Sequence, residues 1–278
     1  MGEKTRNRGS LQMQTTISET VAAPRPKVRH ISVEDVYAAL SEGWADFRAV
    51  PRFGLFFGGV YALAGIFILL QLSVWQQHLW IFPLAFAFPL IGPFVAVGLY
   101  EVSRRRELGQ PLAWNEILAS VWGQRNGQMP SMAFVVLAGF MIWIWVAHML
   151  VALMLGRMQF AVYSDIDILF STGSGLALLF FGTIIGFIIA FCLFSITAIS
   201  IPMLIDRQVD FVTAMITSVD SVRSNPRAMF AWAWIVAASL VVAMIPFFLG
   251  LVIVLPVLGH GTWHLYRKVV EPPAEAVV

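Results

Sequence analysis

The chain has 278 residues, of which 59% are hydrophobic and 12% are charged, with a formal net charge of +2. A water-soluble domain carries about 25% charged residues, so this chain lacks the polar surface to cover a globule in water, and its mean hydropathy of +0.78 points to lipid as its solvent. The pI of about 8.9 does not indicate a nucleic-acid partner, because the basic residues flank apolar segments, where they set membrane topology.

Residues 1–30 carry Lys4, Arg6, Arg8, Arg25, Lys27 and Arg29 with almost no apolar periodicity. No apolar run follows of the kind a cleaved signal needs, and the segment reads as a disordered basic cytoplasmic tail. A helical membrane domain is expected over 31–268, and a cytoplasmic C-terminal tail over 269–278. The domain opens with an amphipathic helix. Ser32 is its N-cap and Asp35, three residues on, its capping-box partner. Val33, Val36, Tyr37, Leu40, Trp44 and Phe47 form an apolar stripe, Glu34, Asp35, Glu42 and Asp46 take the other side, and Pro51 ends the helix. Such a helix is too short and too acidic to cross a bilayer; it lies along the surface or across the ends of other helices.

About six transmembrane helices follow, over residues 53–72, 80–100, 132–155, 175–205, 228–245 and 251–265, each apolar enough to cross. The first link is Gln76-Gln77-His78; the third, with Arg157, Asp165 and Asp167, is polar; the fifth, Pro246 to Gly250, is uncharged. The fourth segment is longer than a bilayer needs, so a tilt or a kink near Pro202 is expected. Of the 18 Lys and Arg residues, only Arg157 falls on the far side from the N-terminus, which puts both termini in the cytoplasm.

Two further amphipathic stretches precede spans. Trp114, Ile117, Leu118, Val121 and Trp122 lie ahead of Pro130; Phe211, Val212, Met215, Ile216, Val219 and Val222 lie ahead of Asn225-Pro226. One unit therefore recurs three times: a surface helix, a proline stop and a hairpin of two spans. Pro93, Gly98 and Arg104 also have the same offsets as Pro256, Gly261 and Arg267. A threefold or stacked arrangement with the surface helices grouped as a collar would follow. The simpler alternative is that any hairpin protein places amphipathic helices and arginines on its cytoplasmic side.

Few residues offer chemistry. His260 and His264 are one turn apart on one helix face, a spacing that suits a metal or haem ligand pair; without a third ligand identified by sequence, hydrogen bonding to neighbouring helices is the better reading. His148, among Trp143, Trp145 and Met149, reads as a helix-packing hydrogen bonder. Glu101 and Arg104 can pair at i,i+3, as can the charges around Asp206, Arg207 and Asp210, although solvated charges of small energetic value are favoured. Gly54/Gly58 and Gly182/Gly186 are small-residue packing motifs. The single Cys192 rules out an internal disulfide and a multi-cysteine metal centre, and no nucleotide loop, nucleophile elbow or metalloprotease motif is present.

The strings GPFVAVGLYEVSRR (Gly92 to Arg105), SIPMLIDRQVDFVTA (Ser200 to Ala214) and GHGTWHLYR (Gly259 to Arg267) resemble a bacterial family of predicted integral membrane proteins, the domain of unknown function 2189 family, over about Val36 to Val270. The resemblance implies a multi-pass protein of the bacterial cytoplasmic membrane and implies no activity. Three functions compete: a non-catalytic accessory, scaffold or assembly protein; a transporter or channel for a small or lipidic solute; and a haem or metal redox protein using His148, His260 and His264. The first is preferred, with no cofactor or metal, and with membrane lipid, other membrane proteins or a second copy of the chain as partners.

Overall fold

The computed structural model describes residues 26–74, 81–156, 158, 165 and 167–272. Among them the regular structure is helical: α1 (Val33–Ala49), α2 (Pro51–Ser73), α3 (Ile81–Glu107), α4 (Trp114–Gly123), α5 (Met129–Leu155), the short α6 (Ile168–Ser171), α7 (Gly173–Thr197), α8 (Ser200–Asp206), α9 (Phe211–Ser224), α10 (Pro226–Met244) and α11 (Leu251–Val269). A 3-10 turn, Gln124–Asn126, follows α4, and one antiparallel bridge joins Val28 to Val270. The link at 76–78, with His78, lies outside the described residues, as do Arg157 and residues 1–25.

Local chemistry sets the helix ends. Ser32 caps α1 in a reciprocal box with Asp35. Asp210 accepts from the amide of Thr213 at the start of α9, and Thr172 from that of Gly175 at the start of α7. Pro51, Pro130 and Pro226 occupy the first turn of α2, α5 and α10, where a missing N–H costs nothing. The break between α7 and α8 falls at Ala198–Ile199, four and three residues ahead of Pro202, where a proline ring meets the carbonyl of residue i−4. Ser218 of α9 bridges the break, accepting from the amide of Ile199 at 3.2 Å and donating to the carbonyl of Ser195 at 2.7 Å.

Among the described residues four segments are long and apolar enough to cross a membrane: Pro51–Gln71, Met129–Leu155, Gly173–Asp206 and Pro226–Met244. α3 and α11 run past the apolar stretches expected of them. The expected span ends at Tyr100 and Leu265 are passed, and helix continues to Glu107 and Val269, so the terminal arginines sit on helix rather than in loops.

The helices close on themselves in a cyclic order. α3 lies against α4, α7 and α8 against α9, and α11 against α1, so the second long helix of each unit packs on the amphipathic helix of the next. α1, α4 and α9, the expected collar helices, each receive one such packing partner. Two of the three joints share a backbone form: Val50 (φ −138°, ψ 60°) and Asn225 (φ −130°, ψ 53°) each donate an amide to a carbonyl four residues back, Asp46 and Ser221. The middle joint instead carries the 3-10 turn.

The buried faces of the collar helices are not the large apolar stripes expected from periodicity. α1 buries Val36, Ala39, Gly43, Asp46 and Phe47, whereas Tyr37 and Trp44 are 60% and 41% exposed. α9 buries Ala214, Thr217, Ser218, Ser221 and Val222, and Val212 is exposed. α4 buries Ile117 while Leu118 and Trp122 are exposed. Small side chains let helix backbones approach closely, so small residues face inward together with Val36, Phe47, Ile117 and Val222, and Tyr37, Trp44 and Trp122 face out.

A buried polar network at the collar

The candidate site is assembled where α1, α3 and α11 cross. Asp46, 7% exposed, is carried into the crossing by the close approach of Gly43 to Gly261. Its Oδ2 accepts from Ser103 Oγ at 2.6 Å and from His264 Nε2 at 2.8 Å, and its Oδ1 accepts from Arg106 Nε at 2.8 Å. Ser103 Oγ also lies 2.8 Å from His260 Nδ1. Ser103 has one hydroxyl hydrogen and gives it to Asp46, so His260 donates through Nδ1. Its Nε2 is buried without a hydrogen-bond partner. Toward the surface, Glu42 receives His264 Nδ1 at 3.3 Å and Lys268 Nζ at 2.9 Å.

Three further carboxylates anchor helix ends. Glu101, 1% exposed, accepts from Arg104 Nε at 2.9 Å and Arg105 Nε at 2.6 Å; Arg105 also pairs with Glu116 of α4. Asp206 of α8 accepts from Tyr266 OH at 2.6 Å and Arg267 Nη1 at 3.3 Å. Glu107 accepts from Trp263 Nε1 at 3.1 Å and Arg267 Nε at 3.0 Å. At the chain ends, Arg29 donates to the carbonyls of Arg267 and Val270, and Asn225 accepts from the amide of Ile31 at 2.8 Å while donating to the carbonyl of Arg29 at 3.0 Å.

Electrostatics keep Asp46 charged and Tyr266 neutral. Burial alone pushes the Asp46 carboxyl up, but hydrogen bonds from His264, Ser103 and Arg106 outweigh it and hold the group at about 2, below its ordinary 3.8. Burial, with Asp206 adding to it, pushes the Tyr266 phenol up, so it remains a donor.

Of the residues singled out by sequence, His260 and His264 meet the same serine–aspartate pair, and Glu101 binds Arg104 as their spacing allows. Glu101 is not a solvated charge, as the favoured reading had it; it is buried because α3 stays helical and folds Arg104 and Arg105 over it. His148 is apart from the others and does not bond a neighbouring helix: it is exposed on α5 with Nδ1 2.8 Å from the carbonyl of Ile144, one turn back. Sequence reasoning missed Asp46, Ser103, Tyr266 and Asn225 as members, and placed Asp206 among the charges around Arg207 and Asp210 without Tyr266 and Arg267. Asp46 carried one signal, a carboxylate one residue before the core Phe47 at the end of an otherwise small stripe.

The order of groups limits the chemistry. In a hydrolytic triad the imidazole takes the serine proton and the carboxylate orients the imidazole. Here the carboxylate accepts the Ser103 hydrogen bond directly, the imidazole is placed to donate to Ser103 rather than to receive from it, and Ser103 is fully buried. Among the described residues no three His, Cys, Asp or Glu side chains are grouped as metal ligands. The network can clamp helices by charge-assisted hydrogen bonds, and nothing in its order activates a nucleophile.

Four long apolar segments and an internal polar clamp at one end define a multi-helix integral membrane protein. Residues 81–206 match the family of predicted integral membrane proteins with domain of unknown function 2189 (DUF2189); this takes in the string from Gly92 to Arg105 and the start of that from Ser200. Among curated proteins and among solved structures nothing matches the chain.

Proposed function

We propose that the chain crosses the bacterial cytoplasmic membrane six times, with both termini and the collar in the cytoplasm, and works as a non-catalytic accessory or scaffold protein. The observation that carries this reading is the self-sufficiency of the collar. The buried carboxylates Asp46 and Glu101 and the half-buried Asp206 each receive two or more donors from the chain itself. Charge is spent on fixing helix ends, which gives a rigid platform. Its rim carries Trp44 against Arg48 and Trp122 against Arg125, with cation-to-ring distances of 5.8 Å and 4.5 Å. Exposed tryptophan and arginine suit the headgroup region and protein contact alike. The basic excess on the collar side supports the orientation, and the cyclic packing of α3 and α11 among the four long apolar segments supports their counting as spans.

Two measurements test the reading. Reporter fusions after Gln77, Ser164 and Pro246 should be periplasmic, and those after Gln110, Asp210 and Pro272 cytoplasmic. A cytoplasmic signal at Pro246 would remove α11 from the spans. Crosslinking in intact membranes from the rim positions 44 and 122 should capture a defined protein partner or a second copy; capture of lipid alone would refute the scaffold role.

A further inference from the structure

The two joints that share a backbone form also share a sequence. Arg48-Ala49-Val50-Pro51-Arg52 and Arg223-Ser224-Asn225-Pro226-Arg227 each place one arginine three residues ahead of the proline and another directly after it. All four arginines are exposed, on either side of the turn residues Val50 and Asn225. The middle joint breaks the pattern: Arg125 stands five residues ahead of Pro130, against the Trp122 ring, and Ser131 follows the proline.

The joint arginines differ from those at the far ends of the spans in having no acid. Arg104, Arg105, Arg106, Arg207 and Arg267 each pair with a carboxylate. Among the described residues Arg48, Arg52, Arg223 and Arg227 pair with none. Arg48 lies over the Trp44 ring and Arg52 over that of Phe53, and Arg52 donates to the Leu112 carbonyl at 3.0 Å; a guanidinium with five N–H donors keeps most of them free.

Their position makes the lack of an acid unfavourable within the chain. Segments long and apolar enough to cross a membrane begin at Pro51 and Pro226, so each arginine pair stands at the edge of the hydrocarbon. Arg52 and Arg227 also occupy the first turn of α2 and α10, and neither turn holds an acid. The helix dipole there favours anions and opposes cations. A negative partner from outside the chain reverses the sign of both effects.

We propose that these twin joints, each an arginine pair around a proline stop, dock the headgroup phosphate of an anionic phospholipid, one lipid at each joint. The proposal rests on the reading that α2 and α10 cross the bilayer, and it needs no protein partner. The phosphate layer of the membrane lies where the spans leave the hydrocarbon, and guanidinium binds phosphate through paired N–H donors. A zwitterionic lipid carries its own ammonium beside the phosphate; phosphatidylglycerol carries none and keeps a net negative charge. Each arginine near an anionic surface favours binding about fivefold, so a pair contributes about thirtyfold.

The test titrates the full chain in mild detergent with palmitoyl-oleoyl-phosphatidylglycerol, or with phosphatidylcholine of the same acyl chains, and counts bound lipid by native mass spectrometry. The parent protein should bind phosphatidylglycerol more tightly, at two sites. Arg48→Gln/Arg52→Gln and Arg223→Gln/Arg227→Gln should each weaken one site about thirtyfold and leave the other. Arg223 and Arg227 make no hydrogen bond or ion pair among the described residues, so the second variant decides the matter even if loss of the Leu112 bond unfolds the first. Lys4→Gln/Arg6→Gln removes the same charge from the N-terminal segment and should change neither site. Equal affinity of the parent for both lipids overturns the proposal, as does undiminished phosphatidylglycerol binding in Arg223→Gln/Arg227→Gln. So does an equal loss in Lys4→Gln/Arg6→Gln, or displacement of the lipid by inorganic phosphate in molar excess. The reporter fusions after Gln77 and Pro246 read the crossing of α2 and α10 separately: with both periplasmic, a failed titration sinks the lipid sites alone.

Discussion

Gly43 of α1 and Gly261 of α11 cross backbone to backbone: a Cβ at 43 would lie 2.7 Å from the Cα of Gly261 and 2.7 Å from the carbonyl oxygen of Val257. The neighbours are main-chain atoms, so no side chain can swing aside. Gly43→Ala should force α1 and α11 apart and cost about 3 kcal/mol, at the upper end of ordinary overpacking. Gly59 of α2 has open space around it, and Gly59→Ala should be neutral or stabilising by up to about 1 kcal/mol through helix propensity. Thermal unfolding in detergent checks the pair; equal effects would show that the crossing is not tight.

Asp46 predicts an acid limb. Its carboxyl is held at about 2 against 3.8 when unfolded, so its contribution is complete above about pH 4 and is lost as pH falls toward 2. That contribution is about 2 kcal/mol at 1.36 kcal/mol per unit. Asp46→Asn should lose stability at neutral pH and flatten the curve between pH 4 and 2. A variant with the parent's acid profile would show that other carboxylates carry the limb.

Ser218 tests the break between α7 and α8. Ser218→Ala strips the partner from the buried amide of Ile199 and should cost about 1–3 kcal/mol. The neighbouring Ser224, exposed at the end of α9, should tolerate alanine. Comparable unfolding midpoints for the two variants would place Ser218 outside the clamp.

Asn225 clips the segment ahead of α1. Replacing it with alanine removes the bonds to Ile31 and Arg29, which should free residues 26–31 and speed tryptic cleavage after Lys27 and Arg29 by about tenfold if the opening costs about 1.4 kcal/mol less. Unchanged cleavage would mean that the Val28–Val270 bridge and the Arg29 contacts to α11 hold the segment without Asn225.

The helices themselves were legible because their signals are local. Ser32 with Asp35 marks the start of α1, the prolines at 51, 130 and 226, read as stops, fall within a turn of helix joints, and Pro202 marks the break after Thr197. What periodicity could not reach was which face of each collar helix turns inward. A hydrophobic stripe finds the core in water, but at a membrane surface both sides of a helix can bury apolar atoms. Close backbone approach then decides, and it selected Ala39, Gly43 and Asp46 over Tyr37 and Trp44. Asp46 was assigned to the polar side because its partners are 57, 60 and 218 residues away. Glu101 was read as solvated because the helix beyond Tyr100 had been ended too soon.

The crossing of α1 and α11 also governs how the protein must be made. α1 leaves the ribosome well before α11. Until Gly261 arrives, the Gly43 face has no cover, and Asp46 lacks His264. A chain stalled before codon 260 would carry α1 without the helix that packs on it. Such a chain offers quality-control proteases a buried aspartate laid bare.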